Sequence, residues 1–383
     1  MANRLSVCLL TRNEGRNIER VIRSVAGVAD EVVVADAGST DRTAEMARGL
    51  GAVVVPFSWD DDFSEGRNVA LGRASGGWVL WLNPDEELLP DGLEEVRGRI
   101  DAAAGDVFGY LARVRSVPRG ERPDQFTESQ DLRLFRGRPD LHYVGRLHPG
   151  FPPEFARTVE SEGQRVQTSA ISIKHHAYLS TLDESKLRWA ARLLERELAD
   201  RPGQLHYAIE YGRTLLLLKD PKGHEVIAGA VDQVWPAVGS ATPPSPDVQI
   251  LLEYALTTPP GVNRSRLSAM QAVELVGRWF PDSPPLLWAI AEASFRARRF
   301  DASATLLERL VHLGASGSYD PSRPFDPRIV GSWASLNLGH CLRALGRPDE
   351  ARRRFEPLLL DADFAGQAAK ALEELETGRA GGG

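Results

Sequence analysis

The first 180 residues alternate short apolar runs with polar, glycine-rich turns. Residues 5–10 (Leu-Ser-Val-Cys-Leu-Leu) and 31–35 (Glu-Val-Val-Val-Ala) are brief, apolar and ended by polar or glycine residues, which predicts buried strands. Between them Ile18, Val21, Ile22 and Val25 recur on one helical face, with Asn13 as the expected cap. A strand, a helix and a strand at this separation predict a parallel pair. The unit then repeats. Thr40 or Asp41 should cap a helix running to Leu50, residues 53–55 form a third strand, 67–73 a helix and 78–82 a fourth strand. Such alternation predicts an α/β fold with a doubly wound sheet.

Near residue 180 the pattern changes to long Ala/Leu/Arg segments of helical period, beginning with an amphipathic stretch at 187–198. Two stretches fit the 34-residue tetratricopeptide (TPR) pattern. The better one starts at Trp333 and places Leu338, Gly339, Leu342, Ala351 and Phe355 in register; the other uses Trp288, Phe295 and Ala304. A third, around Tyr211, Gly212 and Leu215, is weaker. The expected division is therefore an α/β domain at 1–180 and an all-α, TPR-like repeat domain at 181–383. A generic helical bundle would use the same small residues for close packing. The tail at 378–383 reads as disordered.

Composition narrows the class without naming a function. Of 383 residues, 42% are apolar and 26% charged, and 46 Lys and Arg against 53 Asp and Glu leave a net charge of −7, which excludes a disordered chain and a bulk nucleic-acid binder. Cys8 and Cys341 lie far apart, the first inside an apolar run, which predicts buried reduced thiols. No apolar run reaches the ~20 residues of a membrane span, and 5–10 is too short for a signal peptide, so the expectation is a cytoplasmic protein without a transmembrane segment.

Ligands of doubly wound sheets bind where strand C-terminal ends meet the loops. Here those loops are 11–15, 36–41 and 83–87, and all carry carboxylates. Turn chemistry explains any one of them; three together point to a site.

The runs LSVCLLTRNEGRNIER, DEVVVADAGSTDRT, FSEGRNVAL and WVLWLNPDEE, in this order and spacing, resemble glycosyltransferase family 2. The most similar branch is a bacterial one in which a short transferase domain precedes TPR-like helices. The resemblance implies a GT-A fold, Rossmann-like with a mostly parallel sheet. It also implies an inverting transfer from a UDP- or dTDP-linked sugar to a hydroxyl of a glycan, lipid-linked or protein acceptor, in cell-envelope polysaccharide synthesis. A divalent cation, Mn²⁺ or Mg²⁺, is the implied cofactor, because hard oxygen ligands can hold it against the departing diphosphate. The family's Asp-x-Asp metal motif reads Asn83-Pro84-Asp85 in this chain, making Asp85 the leading ligand and Asn83 a neutral oxygen in place of the first carboxylate. That motif is shared with relatives of the rhamnosyltransferase type, which makes dTDP-rhamnose a donor to test. His148 matches the histidine of a late His-Glu pair, with Pro149 replacing the glutamate, and is the third implied ligand.

Thr11, Asn13, Glu14, Asp36, Arg67 and Asn68 match positions that line the nucleotide pocket in the family. A guanidinium fork suits phosphate oxygens and a carboxylate suits ribose or base donors. For the general base the candidates are Asp131, then Glu128 and Glu86. Arg113, Arg115, Arg119, Arg122, Arg133, Arg136, Arg138 and Arg146 could attract an anionic acceptor such as a lipid diphosphate or an acidic glycan. The plainer reading is a mixed solvated surface shared with Glu121, Asp124 and Glu128. His175-His176 resembles a histidine near the end of the family's transferase domain, but adjacent strand residues point to opposite faces and make a poor metal pair. The expected setting is the cytoplasm, peripheral at the inner membrane face. The rival expectation is a catalytically impaired scaffold whose repeats bind a protein partner; Asn83 and Pro149, both departures from the family pattern, motivate it.

Overall fold

The computed structural model describes residues 3–117, 126–176 and 184–377. Arg119, Glu121, Arg122, Asp124 and the tail at 378–383 lie outside them. The chain divides into two compact units, Met1–Pro202 and Gly203–Gly383.

The first unit runs β1 (Leu5–Thr11), α1 (Ile18–Ser24), β2 (Glu31–Asp36), α2 (Thr43–Gly49), β3 (Val53–Pro56), α3 (Phe63–Arg73), β4 (Trp78–Trp81), β5 (Glu86–Leu88), α4 (Pro90–Ala102), β6 (Val107–Ser116), β7 (Thr127–Arg136), α5 (Pro153–Ser161), β8 (Arg165–His175) and α6 (Glu184–Asp200). The strands form one sheet in the order β3-β2-β1-β4-β7-β6-β8-β5. β1 pairs in parallel with β2 and β4, and β2 with β3, as the crossover helices require. The alternation ends there. β7 runs antiparallel to both β4 and β6, so the doubly wound expectation holds for the first half of the sheet only.

Residue alternation along β1 builds a core on each face. Leu5, Val7 and Leu9 pack with Ile18, Val21 and Val25 on one side. Cys8 turns to the other, with Ala70, Val79 and Trp81. Both cysteines are buried and free, and burial raises the Cys8 thiol far above its ordinary range. The helix starts differ from expectation. Asn13 does not cap α1; it sits in the left-handed region at φ 58° in the preceding loop. α3 begins earlier than residue 67, because the Asp62 carboxylate accepts Ser64 N at 2.8 Å and Glu65 N at 3.3 Å and so caps the first turn. A Cβ at Gly66 would collide with Leu10 and Phe57, so this glycine lets α3 lie directly on β1.

The second unit is helical: α7 (Leu205–Leu217), α8 (Lys222–Val234), α9 (Val248–Thr257), α10 (Ala269–Trp279), α11 (Pro284–Arg296), α12 (Phe300–Ser316), α13 (Ser332–Ala344), α14 (Pro348–Phe355) and α15 (Ala365–Glu376). Leu338, Leu342, Ala351 and Phe355 are all buried, and the Phe355 ring fills the space a Cβ on Gly339 would occupy. Ile227 covers Gly212 in the same way between α8 and α7. The small-against-large register read from the TPR pattern is thus the packing of α13 on α14 and of α7 on α8. No helix among the described residues is long and apolar enough to cross a membrane.

Candidate active site

The C-terminal ends of β1, β2 and β4 open onto a cavity of about 690 Å³ in the first unit. Thr11, Arg12 and Glu14 line it from the loop after β1, Ala37 from the loop after β2, and Asn83, Pro84 and Asp85 from the turn after β4. Arg67 of α3, His148 and Pro149 of the 144–150 loop, His175 at the end of β8 and Lys186 and Trp189 of α6 complete the walls.

Asp85 is the best-defined polar group in this cavity. Its Oδ2 lies 3.1 Å from His175 Nε2, and His175 Nδ1 lies 3.0 Å from Ser116 Oγ, so the imidazole is held at both nitrogens. Burial resists charge on both partners, yet the shared hydrogen bond prevails. It holds the Asp85 carboxyl below its usual range and raises His175 above the usual imidazole value. His176 turns elsewhere, its Nε2 3.3 Å from Glu87 Oε2, so the adjacent histidines serve different carboxylates.

Arg67 is a half-buried cation of the cavity. Its guanidinium carbon lies 4.7 Å from the Trp81 ring and 4.8 Å from the Tyr143 ring, and one nitrogen reaches Pro149 O at 3.4 Å. Desolvation lowers its pKa, but an arginine stays protonated, so the cavity wall carries a fixed positive charge. The Nε1 of Trp81 is buried with no hydrogen-bond partner among the described residues.

The other expected nucleotide residues divide. Thr11 and Glu14 line the cavity; Asn13, Asp36 and Asn68 do not. Asn13 ties two loops together, its Oδ1 accepting Thr40 N at 2.8 Å. Asp36 is buried and accepts Ser39 N at 3.1 Å and Ser39 Oγ at 2.6 Å, a local turn that occupies its carboxylate. Asn68 exchanges two hydrogen bonds with the Tyr143 backbone, at 2.9 and 2.7 Å, and so braces the segment leading to His148.

None of the three expected general bases lines the cavity. Glu86 is 1% exposed and both its oxygens are held by Arg133 at 2.9 Å, with Asn83 N and Nδ2 donating at 2.7 and 3.0 Å. A carboxylate so occupied fixes the turn after β4 and has no lone pair turned toward an acceptor. Glu128 accepts from Arg115 at 3.0 Å, and Asp131 is exposed beside Arg133 at 3.5 Å. The carboxylates that do line the cavity are Glu14, Asp61 and Asp85.

The arginine-rich segment is similarly spent: Arg133 on Glu86, Arg138 on Asp140 and Glu162, Arg146 on Asp200, and Arg136 on the Val107 and Ala104 carbonyls. Arg146 has a second use. Its backbone N donates at 2.9 Å to Glu197, a fully buried carboxylate of α6, and its backbone O accepts Phe63 N at 3.0 Å. The loop that presents His148 is thus held between α3 and α6.

Among the described residues no group of three or more His, Cys, Asp or Glu gathers into a cage for a metal ion. The donor set still suits a hard cation, because Mg²⁺-like ions are commonly held by one or two carboxylates with phosphate oxygens and water completing the shell. Asp85 supplies the carboxylate. Asn83 turns its amide nitrogen to Glu86, which leaves its carbonyl oxygen for another partner.

A parallel half-sheet with an antiparallel extension, and a charged cavity at its strand ends, have the architecture of a GT-A domain. Residues 6–153, all within the first unit, match the model of Glycosyl transferase family 2. A TPR repeat-containing protein of Synechococcus elongatus is 31% identical over 57% of this chain and 54% of its own length. An uncharacterized glycosyltransferase of Rickettsia prowazekii is 36% identical over 41% of this chain and 50% of its own. The chain spans about half the length of these curated relatives. Among solved structures, glucosyl-3-phosphoglycerate synthase from Mycobacterium tuberculosis with Mn²⁺, UDP and phosphoglyceric acid is 21% identical, at a TM-score of 0.36, over 52% of this chain and 78% of that one.

Sequence reasoning missed His175, Lys186 and Trp189 as cavity residues. The His175-His176 pair was a visible signal, weighed only as a metal pair. Lys186 and Trp189 follow the family-matched segment, and nothing in their spacing ties them to it.

Proposed function

We propose that the first unit transfers a sugar from a nucleoside-diphosphate donor to an acceptor hydroxyl, in a metal-dependent inverting displacement. The observation that carries this reading is Asp85, held as an ionised carboxylate by His175 in a cavity that the half-buried Arg67 also lines.

A donor diphosphate would lie between these two charges. Arg67 binds phosphate oxygens, and the unpartnered Trp81 Nε1 supplies a further donor for an anion beside it. Thr11 and Glu14 face the nucleoside. Asp85, with the Asn83 carbonyl oxygen and His148 as further donors, would hold a divalent cation, Mn²⁺ or Mg²⁺. When bound, that cation supplies Lewis-acid neutralisation of the departing diphosphate. His175 keeps Asp85 oriented and deprotonated, and the Asn68 and Glu197 contacts keep the His148 loop against the cavity. In an inverting transfer the acceptor oxygen attacks from the face opposite the diphosphate while a base takes its proton. Of the cavity's carboxylates, Asp61 belongs neither to the loop after β1 nor to the turn that carries Asp85, and we assign it the base in place of Glu86, Glu128 and Asp131.

Calorimetric titration of the chain with UDP, dTDP and GDP, each with Mn²⁺, with Mg²⁺ and with EDTA, tests the reading. Binding of one nucleotide that requires the metal is expected, with Asp85→Ala abolishing metal-stimulated turnover in a folded protein. No binding under any condition would overturn it and leave the helical unit, as a partner-binding scaffold, to carry the function.

A further inference from the structure

The cavity wall opposite the strand ends is aromatic. The Trp59 and Phe63 ring centroids are 4.9 Å apart at 81°, and the Phe63 and Trp189 centroids 5.9 Å apart at 73°. All three rings are half-buried, all three line the cavity, and none is part of the two cores that flank the sheet. Large aromatic side chains left at a polar cavity's edge are costly to solvate and are better accounted for by a ligand than by the fold. The strip is also rigid. Trp59 Nε1 donates to Asp61 at 3.0 Å, and Asp61 lies 3.9 Å from Arg196 of α6.

Cations stand at both ends of this strip. The Arg12 guanidinium carbon is 5.9 Å from the Trp59 ring. Lys186 precedes Trp189 by one helical turn on α6, on the same face, and lines the same cavity. Lys186 has no ion-pair partner among the described residues.

We propose that Trp59, Phe63 and Trp189, flanked by Arg12 and Lys186, are the acceptor subsite, and that the acceptor presents an anionic sugar such as a uronic acid. This rests on the reading of the Asp85 side of the cavity as the donor site. The apolar C–H face of a pyranose packs on an aromatic ring, and a carboxylate on that ring reaches an ammonium or guanidinium at the strip's end. The subsite is built partly from α6, beyond residues 6–153 that match the family model.

The test is saturation-transfer NMR and tryptophan-fluorescence titration of the full chain with methyl β-glucuronide and, in parallel, methyl β-glucoside, without nucleotide. Binding of UDP with Mn²⁺ is measured separately. The glucuronide is expected to bind about fivefold more tightly than the glucoside, a difference that Lys186→Met removes. Trp189→Ala is expected to weaken both sugars by about tenfold, while Trp189→Phe retains most of the binding and controls for folding. Nucleotide affinity stays unchanged in all three variants. The proposal is overturned if the wild-type chain binds the two sugars equally or not at all, if the variants bind the glucuronide as the wild type does, or if Trp189→Ala loses nucleotide instead. Loss of the donor reading has a different signature: UDP fails to bind the wild-type chain.

Discussion

His175 Nε2 lies 3.1 Å from Asp85 Oδ2, joining residues 90 positions apart at the ends of β8 and of the turn after β4. If Asp85 holds the cation as proposed, a histidine that orients it acts on affinity without touching the nucleotide. Partners of this kind are worth about 10- to 100-fold in metal affinity. We expect His175→Ala to weaken metal-dependent nucleotide binding by that factor in calorimetry while the melting temperature stays near wild type.

Glu86 and Arg133 should behave as a structural pair. Removing one partner of a buried ion pair costs about 3–5 kcal/mol, because the other charge is left unpaired. Glu86→Ala is therefore expected to lower stability by that amount in urea titration. A variant of full stability but no turnover would return Glu86 to the list of bases.

Glu197 holds the loop that presents His148 from a fully buried position on α6. A hydrogen bond to a charged group is worth about 1.5–3 kcal/mol, which is the destabilisation expected of Glu197→Ala. Nucleotide affinity should fall as well, since His148 and Pro149 lose their anchor. Chemical denaturation and calorimetry on the same variant read both effects.

In the helical unit, His206 Nδ1 lies 3.1 Å from Asp247 Oδ2, which also accepts Ser245 Oγ at 3.0 Å. Burial opposes charge on both groups, but their contact raises His206 above its ordinary value of 6.5 and lowers Asp247 below 3.8. The sign follows for each. The His206 contribution is fully present below pH 6.5 and is lost as pH rises through the raised value. The Asp247 contribution is present above pH 3.8 and is lost as pH falls through the lowered one. Stability of this unit should decline as pH rises above 6.5 and through the raised value, and His206→Gln should flatten that decline in pH-dependent thermal melts.

Gly339 gives the repeat reading its sharpest check. Alanine normally favours a helix, but here its Cβ would meet the Phe355 ring. Gly339→Ala is expected to destabilise the helical unit by about 1–3 kcal/mol, the usual cost of overpacking. A neutral or stabilising result would argue against a fixed α13–α14 register.

Much of this molecule was legible in one dimension because its determinants are local. Period-two and period-3.6 patterning places β1, β2 and the helices that cover them, and the ordered motifs at Thr11, Arg67 and Asp85 bring the cavity to the strand ends. The small-against-large spacing of Gly339 and Phe355 likewise reports a contact between consecutive helices. Side-chain direction was decided only by the fold. Asp36 at the end of β2 and Asn68 in α3 have the expected identity, yet Ser39 and the Tyr143 backbone claim their polar atoms. Glu86 looked reactive beside Asp85 until Arg133, 47 positions away, closed on both its oxygens. His175, Lys186 and Trp189 enter the cavity because β8 and α6 fold back on it, which no local pattern encodes. Residue type and local periodicity thus fixed which elements form and where a site must lie, while long-range hydrogen bonds decided which carboxylates and histidines remain available within it.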